Sequence, residues 1–285
     1  MSRYAYVNGQ YLPLSVAGVH VEDRGYQFAD GIYEVIAVHQ GRLADEEAHL
    51  ARLDRSLKEI GLAWPVTKRA LKHIMRRVIA INLLKNGMLY LQVTRGVSRR
   101  DHAFPKADVA PALVVTAKTL KPTSQEVLDK GVSVVTMPDL RWKRCDIKSV
   151  ALLPNILAKQ AAKEKGAYEA WLLDDKGFVT EGSSTNAWIV TAKGEIVTRP
   201  LGTPILAGVT RRAILALAKD AKLKLVERAF KPAEALKAKE AFLTSTTSWA
   251  LPITKIDGKP VGDGKPGPIT LRLRQLYAQA LEKGL

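Results

Sequence analysis

Two periodicities alternate along this chain, and their alternation limits what it can fold into more than any other feature. Short runs rich in β-branched and aromatic residues suit strands. Between them lie longer runs whose apolar residues recur every three or four positions, as on one face of a helix. Residues 4–7 and 10–12 flank Asn8-Gly9, a favoured two-residue hairpin turn. Residues 31–39 read as a strand closed by Gln40-Gly41. Residues 46–60 read as a helix, with Leu50, Leu53, Leu57 and Ile60 at helical spacing and Gly61 as its stop. A second helix is expected over 67–83, and strands over 88–94 and 112–116. The polar, proline-bearing stretch 118–124 then reads as a linker. Beyond it, strands are expected at 132–136, 169–173, 187–190, 223–227 and 241–243. Helices are expected at 149–165, 209–221, 232–239 and 269–281. The expectation is an α/β chain (α+β type) of two domains. A small one covers 1–117 and a larger one 125–285, with 118–124 between them.

Composition removes several function classes. No apolar run approaches the ~20 residues needed to span a bilayer, and the first residues lack the apolar stretch of a signal peptide. A cytoplasmic protein with no membrane partner is expected. Cys145 is the only cysteine, which excludes an internal disulfide and a zinc ribbon. The five histidines show no metal-ligand spacing, so no metal is expected. The net charge of +16 raises the question of nucleic acid. Yet the basic residues are spread along the whole chain, and the basic run 67–77 shares the apolar stripe Leu71, Ile74 and Val78 of an ordinary surface helix. No nucleic-acid partner is expected. Gly262-Asp-Gly-Lys-Pro-Gly267 fits a dinucleotide glycine pattern, but it holds a proline and follows no long strand, so it reads as a loop.

Lys148 lies in Arg141-Trp-Lys-Arg-Cys-Asp-Ile-Lys148-Ser149. The chain has 44 lysines and arginines, so a lysine taken alone is a solvated surface charge. Ile147, Val150, Leu152 and Leu153 around Lys148 suit partial burial instead. Burial lowers a lysine pKa, and the cations Arg141, Lys143 and Arg144 push the same way, which makes a nucleophilic amine. Glu181 follows in Thr180-Glu181-Gly182-Ser183-Ser184-Thr185-Asn186, either as a turn residue or as a partner for a cationic ring. Two segments suit a phosphate. Gly208-Val209-Thr210 opens an expected helix, whose first amides are free donors, and Thr244-Ser-Thr-Thr-Ser248 is a hydroxyl run after an expected strand. Each serves equally as a plain helix start or turn. Arg52 points away from the Leu53/Leu57 stripe, which reads as a surface arginine. Arg100 and His102 lie in a loop ending Phe104-Pro105, either solvated or suited to grip a carboxylate.

Together these segments resemble the pyridoxal-phosphate aminotransferases of fold type IV, and within them the D-amino-acid aminotransferases. The resemblance runs over nearly the whole chain, from Glu22-Asp-Arg-Gly-Tyr-Gln-Phe28 to Ile256-Asp-Gly-Lys259. It implies the fold type IV architecture, with a small N-terminal α/β domain and a larger C-terminal pseudo-barrel domain. It implies pyridoxal 5′-phosphate as cofactor, with Lys148 forming the Schiff base and shuttling the substrate α-proton, and Glu181 bonding the pyridine nitrogen. It assigns the phosphate to Arg52, Val209, Thr210, Ser245 and Thr246, and the substrate carboxylate to Tyr33, Arg100 and His102. It also implies a homodimer in which the Arg100/His102 loop serves the partner subunit's active site. The implied reaction is ping-pong transamination between D-amino acids and a 2-oxo acid such as 2-oxoglutarate or pyruvate. The alternatives within the fold are an L-branched-chain or amine transaminase and an aminodeoxychorismate lyase. Ala37 stands where branched-chain enzymes usually carry an arginine, which argues against an L-branched-chain specificity.

Overall fold

The computed structural model describes residues 3–106 and 108–284; the outermost residues of the two expected domains, 1, 2 and 285, lie outside those described. The chain forms two compact units. One comprises residues up to Lys121 together with Ile147–Ala151 and Gly284, the other Pro122–Asp146 and Leu152–Lys283.

In the first unit, β1 (Tyr4–Val7) and β2 (Gln10–Pro13) form the hairpin around Asn8-Gly9. Both turn residues have positive φ, 42° and 99°, as a type I′ turn requires. A short helix α1 (Arg24–Phe28) follows, capped by the Asp23 side chain, which accepts from the Gly25 N–H. Then come β3 (Gly31–His39), β4 (Arg42–Leu43), α2 (Glu46–Glu59), α3 (Lys68–Ile81), β5 (Gly87–Thr94) and β6 (Ala112–Thr119). The six strands make one antiparallel sheet in the order β2-β1-β6-β5-β3-β4. Strand alternation divides its faces. Ile32 and Ile36 of β3 and Leu89, Leu91 and Val93 of β5 bury against Leu53 and Leu57 of α2 and Leu71, Met75 and Val78 of α3. Each such side chain stabilises the unit by about 1.5–3 kcal/mol. Tyr33, Tyr90 and Gln92 occupy the opposite face.

The second unit holds α4 (Gln125–Lys130), β7 (Val132–Pro138), α5 (Leu153–Glu164), β8 (Glu169–Leu173), β9 (Val179–Gly182), β10 (Asn186–Val190) and β11 (Ile196–Thr198). After them come α6 (Val209–Asp220), β12 (Leu225–Glu227), α7 (Pro232–Lys237), β13 (Glu240–Ser245), β14 (Trp249–Ile256), β15 (Lys259–Pro260) and α8 (Pro268–Glu282). Its nine-stranded mixed sheet runs β12-β11-β10-β13-β14-β7-β8-β9, with β15 beside β14. The end of that path returns to its middle, because the Gly182 N–H at the end of β9 donates to Thr185 O just before β10. One face buries Trp171 against Phe230, and the other stacks Trp188 on Phe242 with ring centroids 5.3 Å apart. Among the described residues, no helix is long and apolar enough to cross a membrane.

The elements differ from expectation in informative places. The helix expected from Ser149 starts at Leu153, with Pro154 in its first turn, where a proline fits best. Residues 147–151 are irregular instead and lie along the edge of β3, where Ser149 bridges Ile32. Thr180-Glu181-Gly182 belongs to a strand, and the turn begins only at Ser183. β14 was not expected, because Pro252 sits inside it. Pairing with β7 begins at Ile253, one residue later, so no bond from the proline nitrogen is needed on that side. Lys118 and Thr119, expected in the linker, finish β6.

Candidate active site

Lys148 owes its position to the edge of β3. The Tyr33 N–H donates to Lys148 O at 3.0 Å, the Val150 N–H donates to Gly31 O at 3.1 Å, and the Lys148 N–H donates to Ser56 Oγ of α2 at 3.4 Å. The Ser149 N–H donates to Ile147 O at 2.8 Å, closing a tight turn at Lys148. Ile147 enters the core under α2 and α3, while Lys148 turns toward Tyr33. Its Nζ sits 4.1 Å from the Tyr33 ring centroid. Tyr33 stacks on Tyr90 at 5.7 Å, and the Tyr90 hydroxyl donates to Gln92 Oε1 at 2.6 Å. Burial, and then the neighbouring Tyr33, push the Tyr90 phenol up to about 12, so it stays a donor at neutral pH. Tyr90 and Gln92 escaped notice in the sequence. Their signal is the alternation of Tyr90, Gln92 and Thr94 with Leu89, Leu91 and Val93.

Arg52 is not the surface arginine that the helix pattern suggested; it is 8% exposed. It lies under α2 on the helix side of β3, whereas Tyr33 lies on the other. Its Nε donates to Glu34 Oε1 at 2.8 Å and its Nη2 to Glu34 Oε2 at 2.7 Å. His49 Nδ1 lies 2.7 Å from the same Oε2. Burial alone would raise the Glu34 pKa, but the Arg52 charge and the hydrogen bonds of both partners hold it at about 2. Burial pushes the His49 imidazole below its ordinary value, favouring the neutral ring.

In the second unit, one amide gathers the other expected residues. Glu181 is 4% exposed. Its carboxylate accepts from Arg141 Nη1, from Asn186 Nδ2 at 2.9 Å and from the Leu206 N–H at 3.1 Å. Asn186 Nδ2 also donates to Leu206 O at 3.0 Å. A Cβ added to Gly208 would fall 2.1 Å from Asn186 Oδ1, so the chain entering α6 is pressed against this side chain, and only glycine fits. Across the sheet, Asn186 pairs with Thr244, the residue before Ser245 and Thr246. Glu181, the Val209-Thr210 start of α6 and the Ser245-Thr246 turn thus meet around Asn186. Val209 and Thr210 are buried, and α6 begins with no side-chain cap and no acid in its first turn. Such a helix start favours an anion.

Arg141 was expected only as a cation crowding Lys148. Its guanidinium instead donates through Nε and Nη2 to Asp139 (2.9 and 2.7 Å) and through Nη1 to Glu181. Burial would lower its pKa, but the bond to Asp139 and the charges of Glu181 and Asp139 raise it above its ordinary value. Burial lifts the Glu181 pKa, against Arg141 and the Leu206 N–H. Neither Arg141 nor Asn186 carried a sequence signal of its own. A buried carboxylate short of positive charge, near an uncapped helix start and a hydroxyl turn, suits a ligand with a ring nitrogen at one end and a phosphate at the other.

Arg100 and His102 are exposed in the loop after β5. Among the described residues, no contact joins either to Tyr33 or Lys148. Both rest on Phe28 instead. The Arg100 guanidinium is 4.9 Å from its ring centroid, and the His102 ring is 5.4 Å away. No group of three or more metal-ligating side chains occurs among the described residues.

A family model described as amino-transferase class IV matches residues 31–256. The D-alanine aminotransferase of Bacillus licheniformis is 43% identical over 263 residues, 92% of each chain. That of Staphylococcus aureus (strain MSSA476) is 40% identical over 278 residues, 97% of each chain. Among solved structures, the branched-chain amino acid aminotransferase of Escherichia coli superposes with a TM-score of 0.88 at 23% identity. The match covers 98% of this chain and 94% of that one. The branched-chain aminotransferase of Thermoproteus uzoniensis with norvaline gives 0.85 at 26%, with the same coverage. The fold expected from the sequence is therefore the fold found, and the Escherichia coli likeness speaks for the fold alone.

Proposed function

This chain belongs to the class IV aminotransferases, and on that premise we propose that it moves amino groups between D-amino acids and 2-oxo acids with pyridoxal 5′-phosphate. The observation that carries the D-amino-acid reading is the 43% identity to a D-alanine aminotransferase over 92% of both chains. Ala37 supports it, since no arginine occupies that point of β3.

The residues of the chain fit the cofactor. The start of α6 has no side-chain cap and no acid in its first turn, so its free amides suit a phosphate. Val209, Thr210, Ser245 and Thr246 would hold the phosphate, with Arg52 adding a cation, and Glu181 would take the ring nitrogen. Bound pyridoxal phosphate supplies an aldehyde that accepts the amino group and a ring that withdraws electrons from the substrate α-carbon.

The chain's own groups do the rest. Lys148 would hold the cofactor aldehyde, and its free amine would take and return the substrate α-proton at Nζ. Tyr33, 4.1 Å from that Nζ, limits where the amine can swing. Glu181 keeps a proton on the ring nitrogen. Tyr33, Arg100 and His102 take the substrate carboxylate, and its orientation decides which α-hydrogen faces Lys148. Arg100 and His102 act in a homodimer, reaching the active site of the partner subunit.

The test is a purified-enzyme assay with 2-oxoglutarate as acceptor. D-alanine should yield pyruvate, and L-leucine should yield no oxo acid. A preference for L-leucine, or release of pyruvate from aminodeoxychorismate without an acceptor, would replace this reading. Lys148→Ala should fold and lose transamination; substantial activity in it would remove Lys148 from the reaction.

A further inference from the structure

The loop carrying Arg100 and His102 should be hard to hold still. It leaves β5 through Gly96, whose φ is +93°, and runs through Pro105 and Pro111 before β6. Two exposed polar side chains on such a loop would lose rotamer freedom each time they gripped a ligand. Yet the root of the loop is fastened. The Arg24 N–H donates to Gly96 O at 2.9 Å, the Ser98 N–H donates to Glu22 O at 3.3 Å, and Asp23 bridges Val97.

Asp30 lies at the centre of the fastening. Its Oδ2 accepts from Arg24 Nε at 2.8 Å and from Arg95 Nε at 2.7 Å, and its Oδ1 accepts from Arg95 Nη2 at 3.0 Å. Each arginine then reaches the loop. Arg24 Nη1 donates to Asp101 O at 2.6 Å and Nη2 to His102 O at 3.5 Å, gripping the backbone between Arg100 and His102 and at His102 itself. The Arg95 guanidinium lies 3.7 Å from the Phe104 ring centroid, and its remaining donors bond Ile60 O and Gly61 O. Burial would raise the Asp30 pKa, but the two arginines hold it below the ordinary carboxylate range, so the clip stays ionised at neutral pH.

Phe28 completes the arrangement. Arg24 lies 4.8 Å from its ring centroid and Arg100 4.9 Å, with the His102 ring at 5.4 Å. One aromatic ring therefore orients both side chains of the loop, while Arg100 pairs with no carboxylate among the described residues. We propose that Phe28, together with the Arg24–Asp30–Arg95 clip, is a positioning residue. It pre-orients Arg100 and His102 for a substrate carboxylate and so sets a preference for amino acids over plain amines. This rests on the reading of Arg100 and His102 given under the proposed function.

The test uses the holoenzyme and two readouts: steady-state kinetics with D-alanine, and calorimetric binding of propionate, a carboxylate with no amine. Phe28→Leu should raise KM for D-alanine and Kd for propionate about tenfold, the cost of two unordered side chains. Its kcat and cofactor content should stay within twofold of the parent. Phe28→Tyr should restore both constants. Arg24→Lys, which keeps the charge but loses the fork, should act like Phe28→Leu and guards against a leucine variant that fails to fold. The proposal is overturned if both constants are unchanged in Phe28→Leu, if kcat falls with them, or if the tyrosine variant behaves like the leucine one. Arg100→Ala separates the two levels. If it leaves propionate binding intact, the carboxylate reading fails and takes the proposal with it. If it weakens propionate while Phe28→Leu and Arg24→Lys do not, only the positioning role fails.

Discussion

Glu34 in the first unit and Glu181 in the second are both buried carboxylates bonded to an arginine, yet their acidities move in opposite directions. Burial works to raise both. At Glu34 it is overcome, because Arg52 gives the carboxylate two donors and an adjacent charge, with His49 adding a third contact, and the pKa falls to about 2. At Glu181 burial prevails, because Arg141 is divided. Two of its nitrogens face Asp139, whose negative charge also raises the Glu181 pKa. One carboxylate is neutralised within its own unit and behaves as an anchor. The other shares one guanidinium with a second carboxylate and keeps room for another positive partner, as a protonated ring nitrogen would be.

The largest effect should come from removing the charge that is in surplus. Glu181→Gln should lower kcat by about a thousandfold, in the range of losing one strong electrostatic contact to the reacting system. The fold should keep its melting temperature or gain a little, since a costly buried charge is gone. Turnover within tenfold of the parent would erase the distinction between the two carboxylates.

The converse variant should fail in the converse way. Glu34→Gln leaves the Arg52 guanidinium buried without its counter-charge, and should cost about 3 kcal/mol of stability, measured by urea unfolding. Unchanged stability would mean that Glu34 is no anchor.

Acid should titrate the same contrast. A depressed carboxylate contributes stability above its unfolded pKa and loses it as pH falls through the folded one. For Glu34 the window runs from 4.5 down to about 2, and the full loss is on the order of 3 kcal/mol. His49 adds to it from 6.5 downward, since the unfolded ring gains a proton that the buried ring resists. Glu181 works in the opposite sense. Its share is whole below 4.5 and lost as pH rises past its lifted folded value. Unfolding followed by urea from pH 7 to pH 3 should therefore show stability falling with acid, and Glu34→Gln should flatten the curve below 4.5.

Much of this was legible in the sequence, and what was not has physical causes. Helical spacing revealed α2 and α3, since Leu53, Leu57, Leu71 and Met75 face one core. The hairpin at Asn8-Gly9 needs only local backbone geometry. Lys148, Glu181 and the two anion-suited segments stood out by residue type and by resemblance. What escaped depends on long-range pairing. Residues 147–151 leave the helix because the edge of β3 accepts them, a partner more than a hundred residues back. β14 hid behind Pro252, whose missing donor matters only where a neighbour asks for it. Arg52 read as exposed because a helix pattern shows which face a residue occupies but not that Glu34 waits opposite. Arg141 and Asn186 became visible only as partners of Glu181.

The smallest predicted effect probes the divided arginine itself. Asp139→Asn removes the negative charge that raises the Glu181 pKa and frees Arg141 from its competing partner, while keeping the side chain's size. Both changes favour ionised Glu181, so its pKa should fall. If ionised Glu181 holds the ring nitrogen, the acid limb of the kcat–pH profile should move to lower pH. At neutral pH Glu181 is then better satisfied by Arg141 and bonds a ring nitrogen less strongly, so kcat should drop by roughly threefold to tenfold, about 1 kcal/mol. An acid limb that stays in place while kcat falls would mean that Asp139 acts through the local fold. An unchanged kcat with a shifted limb would mean that the charge Glu181 retains is not what holds the ring.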